Sequence, residues 1–211
     1  MKGRRRGTFL VLEGIDGVGK STLLKSLARS LRGRGLSVAV RREPADPRLG
    51  ALAQAAAAED PWTGAVYFTV DRHLAAPGLE RDLRSHDVVI QDRSFYSTLA
   101  YQGSALPPRD RRRLTQLQRS AAREPDRVLF LDLPPLEALA RLGGRDRRRG
   151  PLERERTLRR VARAYRSLAR SPRWRRLDAR APPEELLRRA LEGLALPPPA
   201  PRGRGRPGRR R

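Results

Sequence analysis

Residues Thr8 to Thr22 read "TFLVLEGIDGVGKST", an apolar run that breaks into glycines and then turns helical. "TFLVLE" is short, β-branched at its start and closed by glycine, the pattern of a buried strand. "KSTLLKSLARSLRGRG" follows, with Leu23, Leu24, Leu27 and Leu31 at helical spacing and a stop at Gly33 and Gly35. Between the two lies Gly14-Ile15-Asp16-Gly17-Val18-Gly19-Lys20-Ser21, which satisfies G-x-x-x-x-G-K-[ST] in the strand–loop–helix context that gives the pattern its meaning. Glycines let successive backbone N–H groups turn inward around phosphate oxygens, and the helix N-terminus adds positive potential. Lys20 reaches the β- and γ-phosphates, and the Ser21 hydroxyl serves Mg²⁺. The loop from Gly14 to Thr22 therefore predicts a nucleoside triphosphate site.

Outward from this loop, "LSVAVRREP" predicts a second strand closed by Pro44, and "ALAQAAAAED" a helix of high intrinsic propensity. "DVVIQD" (Asp87 to Asp92) and "RVLFLDL" (Arg127 to Leu133) are two further strand-like runs with helical segments around them. Near-continuous apolar strands alternating with helices predict an α/β fold, a doubly wound parallel five-stranded sheet flanked by helices, like that of P-loop NTPases. From Leu142 to Arg156, "LGGRDRRRGPLERER" has almost no apolar residue and reads as a mobile lid. "TLRRVARAYRSLA" resumes a helix with Leu158, Val161, Ala162, Tyr165 and Leu168 on one side, and "PEELLRRALEGL" makes the last one. The expected organisation is a basic extension over 1–7, one P-loop domain over 8–196 and a disordered Pro/Arg-rich tail over 197–211.

Charge is the unusual feature of the composition. There are 47 basic residues against 23 acidic ones, a net charge of +24, and only Lys2, Lys20 and Lys25 are lysines. Such a field attracts polyanions, but the arginines are scattered along the chain, as solvated faces would have them. Aromatic residues make up only 5 %, which predicts a core of Leu, Val and Ala rather than rings. The absence of cysteine excludes disulfides and thiolate metal sites. No apolar stretch reaches the roughly 18 residues that span a bilayer, and the basic start runs into a glycine turn, so the expected location is cytoplasmic.

The triphosphate loop is shared by GTPases, motor ATPases and small-molecule kinases, so the second substrate must be sought elsewhere. "RREP" (Arg41 to Pro44) and "DRSFYSTLAYQG" (Asp92 to Gly103) lie at or beyond the carboxyl ends of predicted strands, where open α/β sheets bind ligands. "FTVDR" (Phe68 to Arg72) sits in a helical segment between them. With "EGIDGVGKST", these segments and the arginine-rich lid resemble thymidylate kinases over roughly residues 8 to 195. The resemblance implies transfer of the γ-phosphoryl of ATP to dTMP, with Mg²⁺ as cofactor and a homodimer as the assembly.

Carried over residue by residue, the resemblance implies that Phe68 stacks on the thymine and Arg72 hydrogen-bonds the base. It assigns Arg93 to the acceptor phosphate, a task suited to a planar guanidinium fork. Asp16 takes the acceptor's 3′-hydroxyl, Asp92 holds Mg²⁺ through water, and Tyr101 packs against C2′ and disfavours a ribose. Ser97, Thr98 and Gln102 complete the pocket. Because Gly17 stands where some members carry a loop arginine, the catalytic cations are expected in the lid, Arg149 and Arg147 among Arg145, Arg147, Arg148 and Arg149. Two departures stand out: Ser94 follows "DR" where an aromatic is usual, and "ADPRLG" replaces a glycine-rich segment after "REP".

Two other readings remain open on the sequence. A deoxynucleoside kinase phosphorylating thymidine would need a carboxylate base for a neutral 5′-hydroxyl, and Glu43 could serve; for a phosphate acceptor, Glu43 is instead a positioner of Arg93 or of the magnesium shell. A P-loop protein that binds nucleic acid, through its basic tail, is the alternative of another class.

Overall fold

The computed structural model describes residues 6–143, 151–194 and 196. Five strands form the sheet: β1 (Thr8–Glu13), β2 (Val38–Arg42), β3 (Val88–Asp92), β4 (Arg127–Asp132) and β5 (Trp174–Asp178). All neighbours are parallel, in the order β2-β3-β1-β4-β5. β1 lies at the centre, and the chain changes side between β3 and β4, so a crevice opens at the carboxyl ends of the central strands. The α/β, doubly wound parallel class expected from the alternation is the one observed.

The helices are α1 (Lys20–Gly33), α2 (Pro47–Glu59), α3 (Pro61–Ser85), α4 (Phe95–Tyr101), α5 (Pro108–Ala121), α6 (Pro135–Leu142), α7 (Pro151–Leu168) and α8 (Pro183–Leu191). The central strands β1, β3 and β4 are buried on both faces, which is why they read as unbroken apolar runs. Leu10, Leu12, Val88 and Ile90 pack with Leu23, Leu27 and Leu31 of α1 and Leu186 of α8, while Phe9, Val11 and Val89 pack with Leu79 and Leu83 of α3. Alternation along β1 thus sends successive side chains to two different cores.

The core is built mainly from Leu, Val and Ala, as expected, with a minority of rings. Few as they are, the aromatics gather: Phe95 lies 4.1 Å from Tyr96, Tyr96 lies 4.8 Å from Trp174, and Phe130 stacks on Tyr165 at 5.6 Å, centroid to centroid. This cluster ties α4, β4, α7 and β5 together, and offset or edge-on pairs of this kind add roughly 0.5–1.5 kcal/mol each beyond area burial.

"ADPRLG", which departs from the family pattern, proves to be a helix start. Asp46 caps α2 by accepting from the N–H groups of Arg48 and Leu49, with Pro47 at the first helical position; such a cap contributes about 1 kcal/mol. Of the expected lid, Leu142 ends α6, Gly143 follows it in a left-handed conformation, and residues 151–156 open α7. Arg145, Arg147, Arg148 and Arg149, the extension before residue 6 and the tail 197–211 lie outside the described residues. Among the described residues, no helix is long and apolar enough to cross a membrane.

Candidate active site

The phosphate loop runs from the end of β1 to the start of α1. Gly17 takes φ of +85°, and a Cβ there would lie 2.4 Å from the Ala138 carbonyl oxygen, so a side chain is excluded both by backbone conformation and by the approach of α6. Gly19 takes φ of +93° at the α1 N-cap, with open space where a Cβ would stand and no side chain capping the helix. Thr22 and Leu23 already donate their N–H groups to the Gly19 carbonyl oxygen, so the donors left for an anion are those at the very start of α1, which no side chain caps. Ile15 and Val18 bury their side chains in the core, so they contribute backbone to the loop. Thr22 lies exposed in the first turn of α1.

Lys20 is buried, its Nζ donating to the carbonyl oxygens of Gly14 and Ile15, each at 2.9 Å. Burial and the nearby Arg93 charge lower its pKa to about 8, against the pull of Asp16, Asp92 and Glu13. An ammonium has three N–H donors, so one stays available to a phosphate oxygen. Ser21 Oγ lies 3.4 Å from Asp92 Oδ2. The other carboxylate oxygen, Asp92 Oδ1, is buried without a hydrogen-bond partner, the only such side-chain atom among the described residues. A hydroxyl and an unsatisfied carboxylate oxygen at the mouth of a phosphate loop fit a hard cation such as Mg²⁺, which takes one or two protein oxygens and draws the rest from phosphates and water.

Across the crevice stands Arg93, just after β3. Its φ is +70°, uncommon for a residue with a side chain. Its guanidinium pairs with Asp16 Oδ1 at 2.5 Å, donates to Ser97 Oγ at 3.2 Å and lies 5.4 Å from the Tyr101 ring centroid. Tyr101 also donates to Asp16 Oδ2 at 2.8 Å. Burial pushes the Asp16 carboxyl up, but the Arg93 and Lys20 charges and the Tyr101 hydroxyl outweigh it and hold the group below the usual carboxylate range. An acid inside a phosphate loop thus faces Arg93 and Tyr101 rather than the phosphates. Arg93 keeps three of its five N–H donors unused by the described residues.

The second arm comes from α3. Arg72 is buried, with Nε and Nη2 on the Glu43 carboxylate at 2.8–3.1 Å, Nη2 also on Thr98 Oγ1 at 3.2 Å, and Nη1 on Gln118. One N–H is left over. Glu43 therefore faces Arg72 and not the Arg93 side chain that the sequence suggested. Phe68 lies one helical turn before Arg72, half-buried and outside both apolar clusters. Gln102 follows α4 as its C-cap, its backbone N–H on the Thr98 carbonyl oxygen.

Several members of the site carried no sequence signal of their role. Glu13, fully buried at the end of β1, accepts from Ser94 Oγ and Ser97 Oγ at 2.7 Å and Tyr165 Oη at 2.8 Å. Burial raises its pKa, and those hydroxyls and Arg93 counter part of the rise. Ser94, the second departure, thus replaces an aromatic with a donor for a buried carboxylate and also caps α4. Asp71 accepts from the backbone N–H groups of Ala45 and Asp46 at 2.8 and 2.7 Å, which pins the segment after Glu43. Gln91 and Gln118 brace Glu43 and Arg72. Tyr165 looked like one more apolar-face residue, because periodicity reports a ring's burial but not its hydroxyl's partner.

The family model for thymidylate kinase matches residues 12–190. A thymidylate kinase of Synechococcus sp. (strain RCC307) is 38 % identical over 90 % of this chain and 99 % of its own. One of Leifsonia xyli subsp. xyli (strain CTCB07) is 39 % identical over 86 % and 91 %. A probable thymidylate kinase of Methanopyrus kandleri is 44 % identical over 62 % and 63 %.

Proposed function

The chain belongs to the thymidylate kinase family and phosphorylates dTMP with ATP, and we propose that the crevice between the phosphate loop and the Arg72–Arg93 arms is where it does so. The observation that carries this reading is the shared carboxylate: Asp16, inside the donor loop, is bonded to Arg93 and Tyr101 on the acceptor side. Donor and acceptor are thereby fixed relative to one another before either arrives.

The acceptor is an oxygen of a phosphate that arrives already ionised, so no carboxylate need take its proton. What remains is positioning and charge. Lys20 and the loop N–H groups hold the β- and γ-phosphates, and the free N–H donors of Arg93 hold the acceptor phosphate against them. Asp16 orients Arg93 and receives the 3′-hydroxyl. Phe68 supplies a ring face for the base, the remaining Arg72 donor reads its carbonyl edge, and Ser97, Thr98 and Gln102 line the pocket. Ser21 and Asp92 would hold Mg²⁺, which when bound neutralises charge between the donor phosphates. Arg149 and Arg147 are assigned to the equatorial oxygens of the transferring group.

Glu43 bears on the nucleoside-kinase alternative. Its carboxylate is committed to Arg72 and Gln91, which suits a positioning acid better than a base that must swing onto a 5′-hydroxyl. The pocket assignment is tested at the sugar. Tyr101→Ala is expected to lower the preference for dTMP over its ribose counterpart about tenfold or more; an unchanged ratio of kcat/KM would remove Tyr101 from the sugar pocket.

A cytoplasmic enzyme acting as a homodimer completes the reading. Val66, Val70 and Leu74 make an exposed stripe along α3, with Leu52 of α2 also exposed, on the side of α3 away from Phe68 and Arg72. A row of large apolar side chains of this kind suits an isologous contact. Leu74→Asp is expected to convert a dimer to a monomer in light scattering coupled to gel filtration. A monomeric parent protein, or a variant that stays dimeric, would refute the assignment.

A further inference from the structure

Gln91 is a polar residue in the middle of a sheet. It follows Val88, Val89 and Ile90 in β3, is 4 % exposed, and stands in register with Val11 of β1 and Arg41 of β2. Burying a primary amide there is unfavourable unless its N–H groups find acceptors. Both do: Nε2 donates to Glu43 Oε1 at 3.0 Å and to the backbone carbonyl oxygen of Arg93 at 3.0 Å. The first acceptor is the carboxylate that grips Arg72. The second belongs to the residue held at φ of +70°, whose own N–H is tied to the Leu12 carbonyl at 3.0 Å. One amide thus touches the supports of both arms of the crevice.

We propose that Gln91 is a positioning residue that couples base reading to phosphate clamping, by fixing the Glu43–Arg72 pair and the left-handed backbone of Arg93 through one pair of N–H donors. This rests on the assignment of Arg72 to the base and Arg93 to the acceptor phosphate. Without the amide, Glu43 loses the donor that sets its rotamer, and the Arg93 carbonyl loses the partner that offsets an unfavourable backbone conformation. Arg72 then reads the base less strictly and Arg93 presents its fork less accurately. The donor loop feels less of this, because the Gln91 amide donates only to Glu43 and Arg93 and, among the described residues, Arg93 hydrogen-bonds to the loop through Asp16 alone.

The test is steady-state kinetics of Gln91→Met, which keeps length and removes both donors, and of Gln91→Asn, which keeps the amide but draws it back by one methylene. For both, KM for dTMP is expected to rise about tenfold and kcat to fall severalfold, with a much smaller change in KM for ATP. The preference for dTMP over dCMP, whose base presents an amino group at that edge, is expected to drop about tenfold. KM and the preference ratio do not depend on how much of a sample is folded, so a variant of reduced stability still reports. An unchanged KM and ratio, with any loss confined to the amount of active protein, would overturn the coupling and leave Gln91 a structural residue. If the parent protein itself fails to turn over dTMP, the underlying assignment of the two arms falls instead, which the same measurement shows separately.

Discussion

Replacing Lys20 by alanine is expected to lower kcat/KM for ATP at least about a thousandfold, roughly 4 kcal/mol of transition-state stabilisation. The size follows from the surroundings of the ammonium. It is buried, two of its donors are fixed on the Gly14 and Ile15 carbonyls, and the third is free for a phosphate oxygen. In such a site a cation is worth far more than in water. A titration follows from the same surroundings. With the Lys20 pKa near 8 in the free protein, the charged form is present below that pH and is lost as pH rises through it. Since kcat/KM reports the free enzyme, kcat/KM for ATP should fall above about pH 8, whereas kcat should hold to higher pH once triphosphate charge stabilises the ammonium. Affinity for dTMP should change little in Lys20→Ala, which separates loss of the donor site from loss of the fold. A kcat/KM within tenfold of the parent would end the loop assignment.

The second large effect is expected at Arg93. Arg93→Ala should lower kcat/KM for dTMP by about 10²–10³, or roughly 3–4 kcal/mol, with a much smaller change in KM for ATP. Removing the guanidinium deletes the acceptor clamp and also leaves Asp16 without the partner that most strongly holds its carboxyl ionised. Arg93→Lys should recover little, because a point charge replaces a planar fork that must serve Asp16, Ser97 and a phosphate together. The backbone offers an internal control. At φ of +70° alanine is strained and glycine is not, so Arg93→Gly should be as inactive as Arg93→Ala yet more stable by about 1 kcal/mol. Equal stability of the two would mean that the left-handed conformation does not survive removal of the side chain.

Which parts of this were legible in the sequence depended on whether the signal was local. The loop, α1 and strands β1 to β4 announce themselves because each carries its own apolar pattern or glycine motif. The last strand does not: "WRRLD" places Arg175 and Arg176 at the surface and buries only Trp174 and Leu177. An edge strand rich in arginine has no continuous apolar run to find. Phe68, Arg72, Asp92, Arg93 and Tyr101 were reachable because short motifs carry them. Glu13 and Asp71 stand inside such motifs, yet their roles, like those of Gln91, Gln118 and Tyr165, were not reachable. Their roles arise from contacts such as Tyr165 to Glu13, 152 positions apart, which no spacing along the chain encodes. The partner of Glu43 is hidden for the same reason: the sequence points it at Arg93 or the magnesium shell, and only the packing of α3 over the sheet brings Arg72 to it.

The most direct measurement is ADP release with ATP and Mg²⁺, with dTMP, dUMP, the ribose form of TMP and thymidine offered separately. A crevice with a guanidinium clamp for a phosphate and Glu43 committed to Arg72 predicts turnover with dTMP, little with the ribose form and none with thymidine. Turnover with thymidine and not with dTMP would contradict it, and would make Glu43 the base for a sugar hydroxyl.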